Sequence, residues 1–276
     1  MDILLHTIAL EPARWSPQRV SQKLSGLIPK IAAAGFGSLE IFEPHLAMDA
    51  MEESLPELLD ANALAPVVLS SYLQVAPQLS DDAAFASAKK DLAARVRRFG
   101  FRKVRIFPGG GVSPQDKAAT GIVADRVSQI ADGLPGVEIL LETHDGSIAD
   151  EPEAMVALIG QIGRANVGLL YQPTLFKAEP SLRQIAVQKH LIRHVHLQNR
   201  HPDQTFNTLK DGVVPWDKIL PQLNVDVSVE FVPGAICPVE QFDLEKSLAE
   251  ALSEAAYARS LINNPVIPNT VRNPAK

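Results

Sequence analysis

The chain has a single cysteine, Cys237, in 276 residues. One thiol excludes an intramolecular disulfide framework and suits a reducing compartment. It has no surplus of positive charge: 26 lysines and arginines stand against 32 aspartates and glutamates, a net charge of −6. A protein that tracks phosphates carries a basic stripe, so nucleic acid is not an expected partner. Long apolar runs are missing too. The longest uncharged stretch, Ala61 to Ser80, is broken by Pro66 and Pro77 and carries Asn62, Gln74 and Gln78. No membrane helix is expected from it. The start, MDILLHTIAL, lacks the basic segment and small-residue cleavage site of a signal peptide, so a cytoplasmic location is expected. There is also no strand–GxGxxG–helix fingerprint, which weakens the case for an open dinucleotide-binding sheet.

What the chain does have is alternation. Its composition, 46% hydrophobic and 21% charged, is that of a globular protein with material for a sizeable core. Eight β-rich runs follow one another: Ile3–Ile8, Ser38–Phe42, Val67–Tyr72, Lys103–Phe107, Val137–Glu142, Val167–Gln172, Arg193–Gln198 and Val225–Val232. Between them lie helical patterns at Gln18–Ala34, Asp82–Phe99, Gln115–Ala131, Pro152–Ile162 and Glu240–Leu261. Start signals precede several of these at Ser16-Pro17, Ser80-Asp81, Ser113-Pro114 and Asp150, and Gly35, Gly100 and Gly163 follow helices. Strand–helix alternation implies parallel pairing, because each crossover needs a helix. Eight such units predict one (β/α)₈ TIM barrel over residues 1–262, followed by an extended tail, 263–276, with Pro265, Pro268 and Pro274.

Residues two apart on a strand share a face, so the apolar positions identify the lumen by elimination. Val227, Val229 and Phe231 turn Asp226, Ser228 and Glu230 inward; Val195 and Leu197 do the same for His194, His196 and Gln198. Glu40, Glu142, His144 and Gln172 face inward near strand ends, and His6 and Arg105 hold similar places on the first and fourth strands. Active residues of such barrels sit at the C-terminal ends of strands. Glu142, Gln172, His196 and Glu230 end four consecutive strands and offer two carboxylates, an imidazole and an amide oxygen. That set suits one divalent ion, Mn²⁺, Mg²⁺, Co²⁺ or Zn²⁺. The competing reading is a salt-bridged lumen, with Arg105 pairing Glu142 or Glu40 beside a neutral histidine.

The chain also resembles a known family, the sugar-phosphate isomerases and epimerases of the xylose isomerase-like barrels, whose domain type includes family 2 AP endonucleases. The resemblance spans about Gly35 to Leu252 and rests on GFGSLEI at 35–41, LLETH at 140–144, NVGLLYQP at 166–173, HVHL at 194–197 and VEF at 229–231. Asp211-Gly212-Val213-Val214-Pro215-Trp216 looks like the family's loop before its seventh helix. The resemblance implies one metal held by Glu142, the residue at 172, His196 and Glu230, with Glu142 and Glu230 as the proton-transfer pair. His144 is implied as a proton shuttle or alternative base. From their places on the strands and the loop after the seventh strand, His6, Glu40, Arg105 and Arg200 are expected to contact substrate. Three positions depart from the pattern. Gln172 stands where the family has aspartate, Leu175 where many members have histidine, and Asn199 where aspartate usually follows the histidine motif. Gln172 removes one negative charge from the ligand set and predicts weaker metal binding.

The function expected is isomerisation or epimerisation of a ketose or polyol through a metal-stabilised enediolate. Dehydration of a keto-polyol or cyclic keto acid begins with the same proton abstraction and stays open, as does a catalytically altered sugar-binding barrel. An apurinic-site endonuclease needs more metal ligands than seven histidines supply, and a basic surface. The expected partners are a small sugar or polyol and, in an oligomer, further copies of the chain.

Overall fold

The structure is a computed structural model that describes residues 1–49 and 52–263. Eight parallel strands close a barrel: β1 (Ile3–His6), β2 (Ser38–Phe42), β3 (Ala65–Ser70), β4 (Lys103–Ile106), β5 (Glu138–Glu142), β6 (Val167–Tyr171), β7 (Ile192–Leu197) and β10 (Asp226–Val229). Neighbours pair in sequence order, and β10 closes the ring between β7 and β1. β8 (Asn199–Arg200) and β9 (Phe206–Asn207) form a small antiparallel hairpin in the loop after β7. All eight expected runs thus become barrel strands.

The outer ring contains α1 (Leu24–Ala34), α2 (Glu43–Met48), α3 (Leu55–Ala61), α4 (Asp82–Phe99), α5 (Lys117–Gly133), α6 (Pro152–Ile162), α7 (Ala178–Gln188), α8 (Trp216–Ile219) and α9 (Leu244–Asn263). Asp81 caps α4 by accepting from Ala84 N at 2.8 Å, as the sequence signal implies. Gly35, Gly100 and Gly163 each end a helix in the left-handed conformation. Other boundaries move for visible reasons. α1 begins at Leu24 and not near Gln18, because the Glu11 carboxylate takes the N–H groups of Ser21 and Gln22 at 2.8 and 2.9 Å. α5 is capped by Asp116, two residues beyond Ser113-Pro114. β3 stops before Tyr72, whose N–H goes to Glu43 Oε2 at 2.6 Å. The tail expected at 263–276 lies outside the described residues except Asn263, the last residue of α9.

The main core lies between strands and helices, while Leu4, Val67 and Val68 make a separate small apolar cluster. No helix among the described residues is long and apolar enough to cross a membrane.

Candidate active site

Alternation along β7 and β10 sends every second side chain into the lumen, and the polar ones meet there. His194 Nε2 lies 2.7 Å from Ser228 Oγ, one layer below the mouth. In the next layer His196 Nε2 donates to Glu40 Oε1 at 2.9 Å. Its other nitrogen, Nδ1, faces Glu230 Oε1 at 3.2 Å and Glu142 Oε1 at 3.7 Å, without a hydrogen bond of good geometry to either. Glu142 Oε2 is 2.9 Å from Arg105 Nε, and both side chains are buried. Gln198 Nε2 donates to Glu230 Oε2 at 2.7 Å.

Gln172 completes the group. The end of its amide lies 3.0 Å from Gln198 Nε2, 2.8 Å from Glu230 Oε2 and 3.1 Å from Glu142 Oε1. With nitrogen inward it donates to both carboxylates; with oxygen inward it accepts from Gln198 and turns three oxygens toward one another. The second arrangement leaves the oxygens facing one another with no donor between them. The four residues at the ends of β5, β6, β7 and β10 therefore meet, and the salt bridge of the competing reading is present as well.

The electrostatics follow from burial and from these partners. Burial alone would raise the Glu142 carboxyl, but the Arg105 guanidinium and His196 outweigh it and hold it down at about 2. Burial would likewise raise Glu40, yet His196 and His6 keep it well below the usual carboxylate range. For His196 the balance is reversed: burial opposes the charge, but Glu230 and Glu40 lift the imidazole well above its ordinary value. His6, with no such pairing, is pushed down to about 3 by burial.

The remaining expected contacts spread outward. His6 stacks on His196 with ring centres 5.2 Å apart. His144 sits on the rim and meets no carboxylate of the lumen; its Nδ1 is 2.9 Å from Asp145 O, and its ring meets the edge of Phe107. Arg200 packs its guanidinium over Phe206 at 4.2 Å and Phe176 at 4.5 Å. Leu175 is exposed. Asn199 has a reason of its own. Its amide donates to Leu209 O and Val214 O and its oxygen accepts from Val214 N, latching the 208–214 loop in a way that aspartate, which lacks a donor, cannot. Gly212 passes so close that a Cβ there would collide with the Asn199 side chain.

Several contributors carry no periodic signal in the sequence. Glu11, buried after β1, gathers Ala13 N, Ser21 N, Gln22 N and His45, and these bonds hold its carboxyl at about 2 against the opposing effect of burial. Arg14 donates to Ile8 O and Ala235 O, tying the β1 loop to the segment after β10. Trp15, 62% exposed, stacks with Phe206 and leans on Phe231, giving the mouth an aromatic wall. Trp15, Phe206 and Phe231 come from distant parts of the sequence, so no sequence signal announces this wall.

With this geometry in hand, the relatives become informative. Residues 28–258 match the xylose isomerase-like TIM barrel family, and the chain belongs to that family. No curated protein matches it. Among solved structures it is similar to the IOLI protein with a bound zinc atom, at 17% identity over 94% of this chain and 98% of that one, TM-score 0.74. It is similar to a probable 3-DHS dehydratase, AsbF, from Bacillus anthracis, at 18% identity over 90% and 98%, TM-score 0.71. An L-ribulose 3-epimerase is similar at 17% identity over 95% and 94%, TM-score 0.69. At such identity the likeness establishes the fold. By their names, these similar structures include an epimerase and a probable dehydratase.

Proposed function

We propose that the chain is an isomerase or epimerase of a ketose or related polyol, moving a proton at the carbon beside a carbonyl. One observation carries this reading: the buried Nδ1 of His196 faces two carboxylates while Nε2 is fixed on Glu40. A histidine oriented by an outer carboxylate, with its free nitrogen among anionic oxygens, suits a divalent cation. Glu142, Gln172, His196 and Glu230 would hold that ion. Bound there, it supplies electrophilic stabilisation to the charge that develops on a substrate oxygen.

The chain's own groups handle the proton. Glu142 and Glu230 flank the Gln172 amide from different strands, so a sugar seated at the mouth meets one carboxylate on each side. Arg105 holds Glu142 in the carboxylate form, the form that can accept a proton. Gln198, donating to Glu230, fixes the second carboxylate. Trp15, Phe206 and Phe231 offer the apolar face of a sugar ring a surface that excludes water.

A second reading, dehydration of a keto-polyol or cyclic keto acid, is favoured by Arg200. Its guanidinium donates to Gln204 O at 3.2 Å and Gln198 Oε1 at 3.4 Å but, among the described residues, pairs with no carboxylate, which suits it to an acidic substrate. The test incubates metal-loaded protein with ketoses, inososes and cyclic keto acids in D₂O, followed by NMR and ultraviolet absorbance. Deuterium entering substrate and epimer without new absorbance is the expected result. Conjugated absorbance would establish the lyase instead. Neither signal with any compound, at confirmed metal occupancy, would overturn both readings.

A further inference from the structure

His6 is the least explained buried group in the molecule. It ends β1 with no exposed surface, and neither ring nitrogen has a hydrogen-bond partner. Its nearest acid, Glu40 Oε1, is 3.9 Å away and already accepts from His196. An unsatisfied buried polar group costs about 1–3 kcal/mol, and in a native site it calls for an explanation. The barrel's register supplies one. Leu5 pairs with Val229, which sets His6 of β1 beside Glu230 after β10, and Ser228 pairs with His196, which sets His196 of β7 one inward position below Glu230. One ring nitrogen of His6, one of His196 and one oxygen of Glu230 lie within 4.8 Å of one another. Among the described residues, this is the one cluster of at least three His, Cys, Asp or Glu side chains so arranged.

On the other side of the site the ligands are already engaged. Glu142 is tied to Arg105 at 2.9 Å, and the Gln172 amide, a neutral group, is shared among Gln198, Glu230 and Glu142. We propose that His6 is a metal ligand, so that the cation is held chiefly by His6, His196 and Glu230, one strand further round the barrel than Glu142 and Gln172 would place it. The proposal rests on the reading above that a cation binds between His196 and Glu230. Two imidazoles and one carboxylate favour a borderline ion such as Co²⁺ or Zn²⁺ over Mg²⁺, which prefers an all-oxygen shell. Gln172 then becomes a neighbour that steadies the two glutamates, and its loss of negative charge relative to aspartate ceases to be a defect in the ligand set.

The test uses chelator-stripped full-length protein titrated with Co²⁺ and with Mg²⁺ by calorimetry, with the visible absorption of the Co²⁺ form recorded alongside. His6→Phe keeps a ring stacked on His196 but removes both nitrogens. An outer-sphere partner alone is worth about 10–100-fold in metal affinity, and a ligand should be worth no less. His6→Phe is therefore expected to weaken Co²⁺ by at least that factor, to narrow the preference over Mg²⁺ and to shift the absorption band. Gln172→Ala should change Co²⁺ affinity far less. If His6→Phe does not fold, His6→Gly with added free imidazole serves instead, and imidazole should restore the band. Wild-type Co²⁺ affinity and spectrum in a folded His6 variant would overturn the proposal while leaving the cation site intact. Co²⁺ binding that is unaffected by Glu230→Gln and by His196→Phe would instead remove the cation from this site, and both readings with it.

Discussion

The two ends of the barrel handle charge in opposite ways. At the N-terminal end Lys103, from β4, crosses the lumen to Asp226 of β10 at 3.0 Å, donates to Arg193 O at 3.2 Å and approaches Glu138 at 3.6 Å. Arg193 pairs with Glu138 at 3.4 Å, and Asp226 also accepts from Asp2 N. Lys103, Arg193, Glu138 and Asp226 therefore each have a partner. At the C-terminal end His6 offers two unpartnered nitrogens, His196 one, Glu40 an unpartnered oxygen and Ser70 an unpartnered hydroxyl, all buried. Buried polar atoms without partners are rare in proteins, and a group of them at one place calls for an explanation. One end of the same eight strands pairs its charges, and the other leaves buried polar atoms unpaired.

The largest effect should come from the unsatisfied end. If Glu142 and Glu230 exchange the substrate's proton, Glu142→Gln or Glu230→Gln should slow incorporation of solvent deuterium by ~10²–10⁴-fold, the usual range for general acid–base groups. Metal content must be measured with it, because either change also removes a candidate ligand. Wild-type exchange in a metal-loaded variant would take that residue out of the mechanism and make His144 the leading base.

At the satisfied end the loss should be in stability alone. Lys103→Met leaves Asp226 with one partner fewer and should lower unfolding free energy by about 1.5–3 kcal/mol, as for other hydrogen bonds to charged groups. Chemical denaturation measures this, and deuterium exchange into substrate should be untouched. A variant that stayed stable but lost exchange would erase the distinction between the two ends.

Gln172→Asp should carry some of the mouth's imbalance further. It replaces an amide donor between Glu142 and Glu230 by a third carboxylate, so the stripped protein should melt at a lower temperature. If position 172 faces the cation, Mn²⁺ should bind more tightly, by about 1–3 kcal/mol for the added negative charge, and should restore the melt. Equal or weaker Mn²⁺ affinity by calorimetry would refute the charge argument.

How much of this contrast is visible in the sequence depends on whether a residue lies on a regular element. Glu40, Glu142, His196 and Glu230 alternate with buried apolar neighbours, so the strand period alone places them in the lumen, and the structure joins them through His196. Arg105 is legible for the same reason, including its pairing with Glu142. Glu11, Arg14 and Trp15 lie in the loop after β1, where no period applies, and their partners are up to 221 positions away in sequence. The start of α1 is illegible for that reason too: Ser16-Pro17 has the form of a helix start, but Glu11 draws the following N–H groups out of any helix. His144 shows the limit of alternation itself, since the strand ends at Glu142 and two residues later the side chain turns to the rim.

The smallest effect tests how redundant the paired end is. Glu138 touches Lys103 at 3.6 Å and Arg193 at 3.4 Å, and its side chain is 36% exposed. Lys103 keeps Asp226 and a backbone carbonyl without it, and Arg193 keeps Ala165 O at 2.8 Å. Removing the charge in Glu138→Gln therefore strands no buried cation, unlike the loss of Lys103. Exposed ion pairs contribute about 0.2–1 kcal/mol and weaken with added salt. The expected change in unfolding free energy falls in that range and shrinks in high salt, with exchange at the mouth unchanged. A loss as large as that of Lys103→Met, insensitive to salt, would mean that the N-terminal charges act as one buried unit, and that the paired end has no dispensable member.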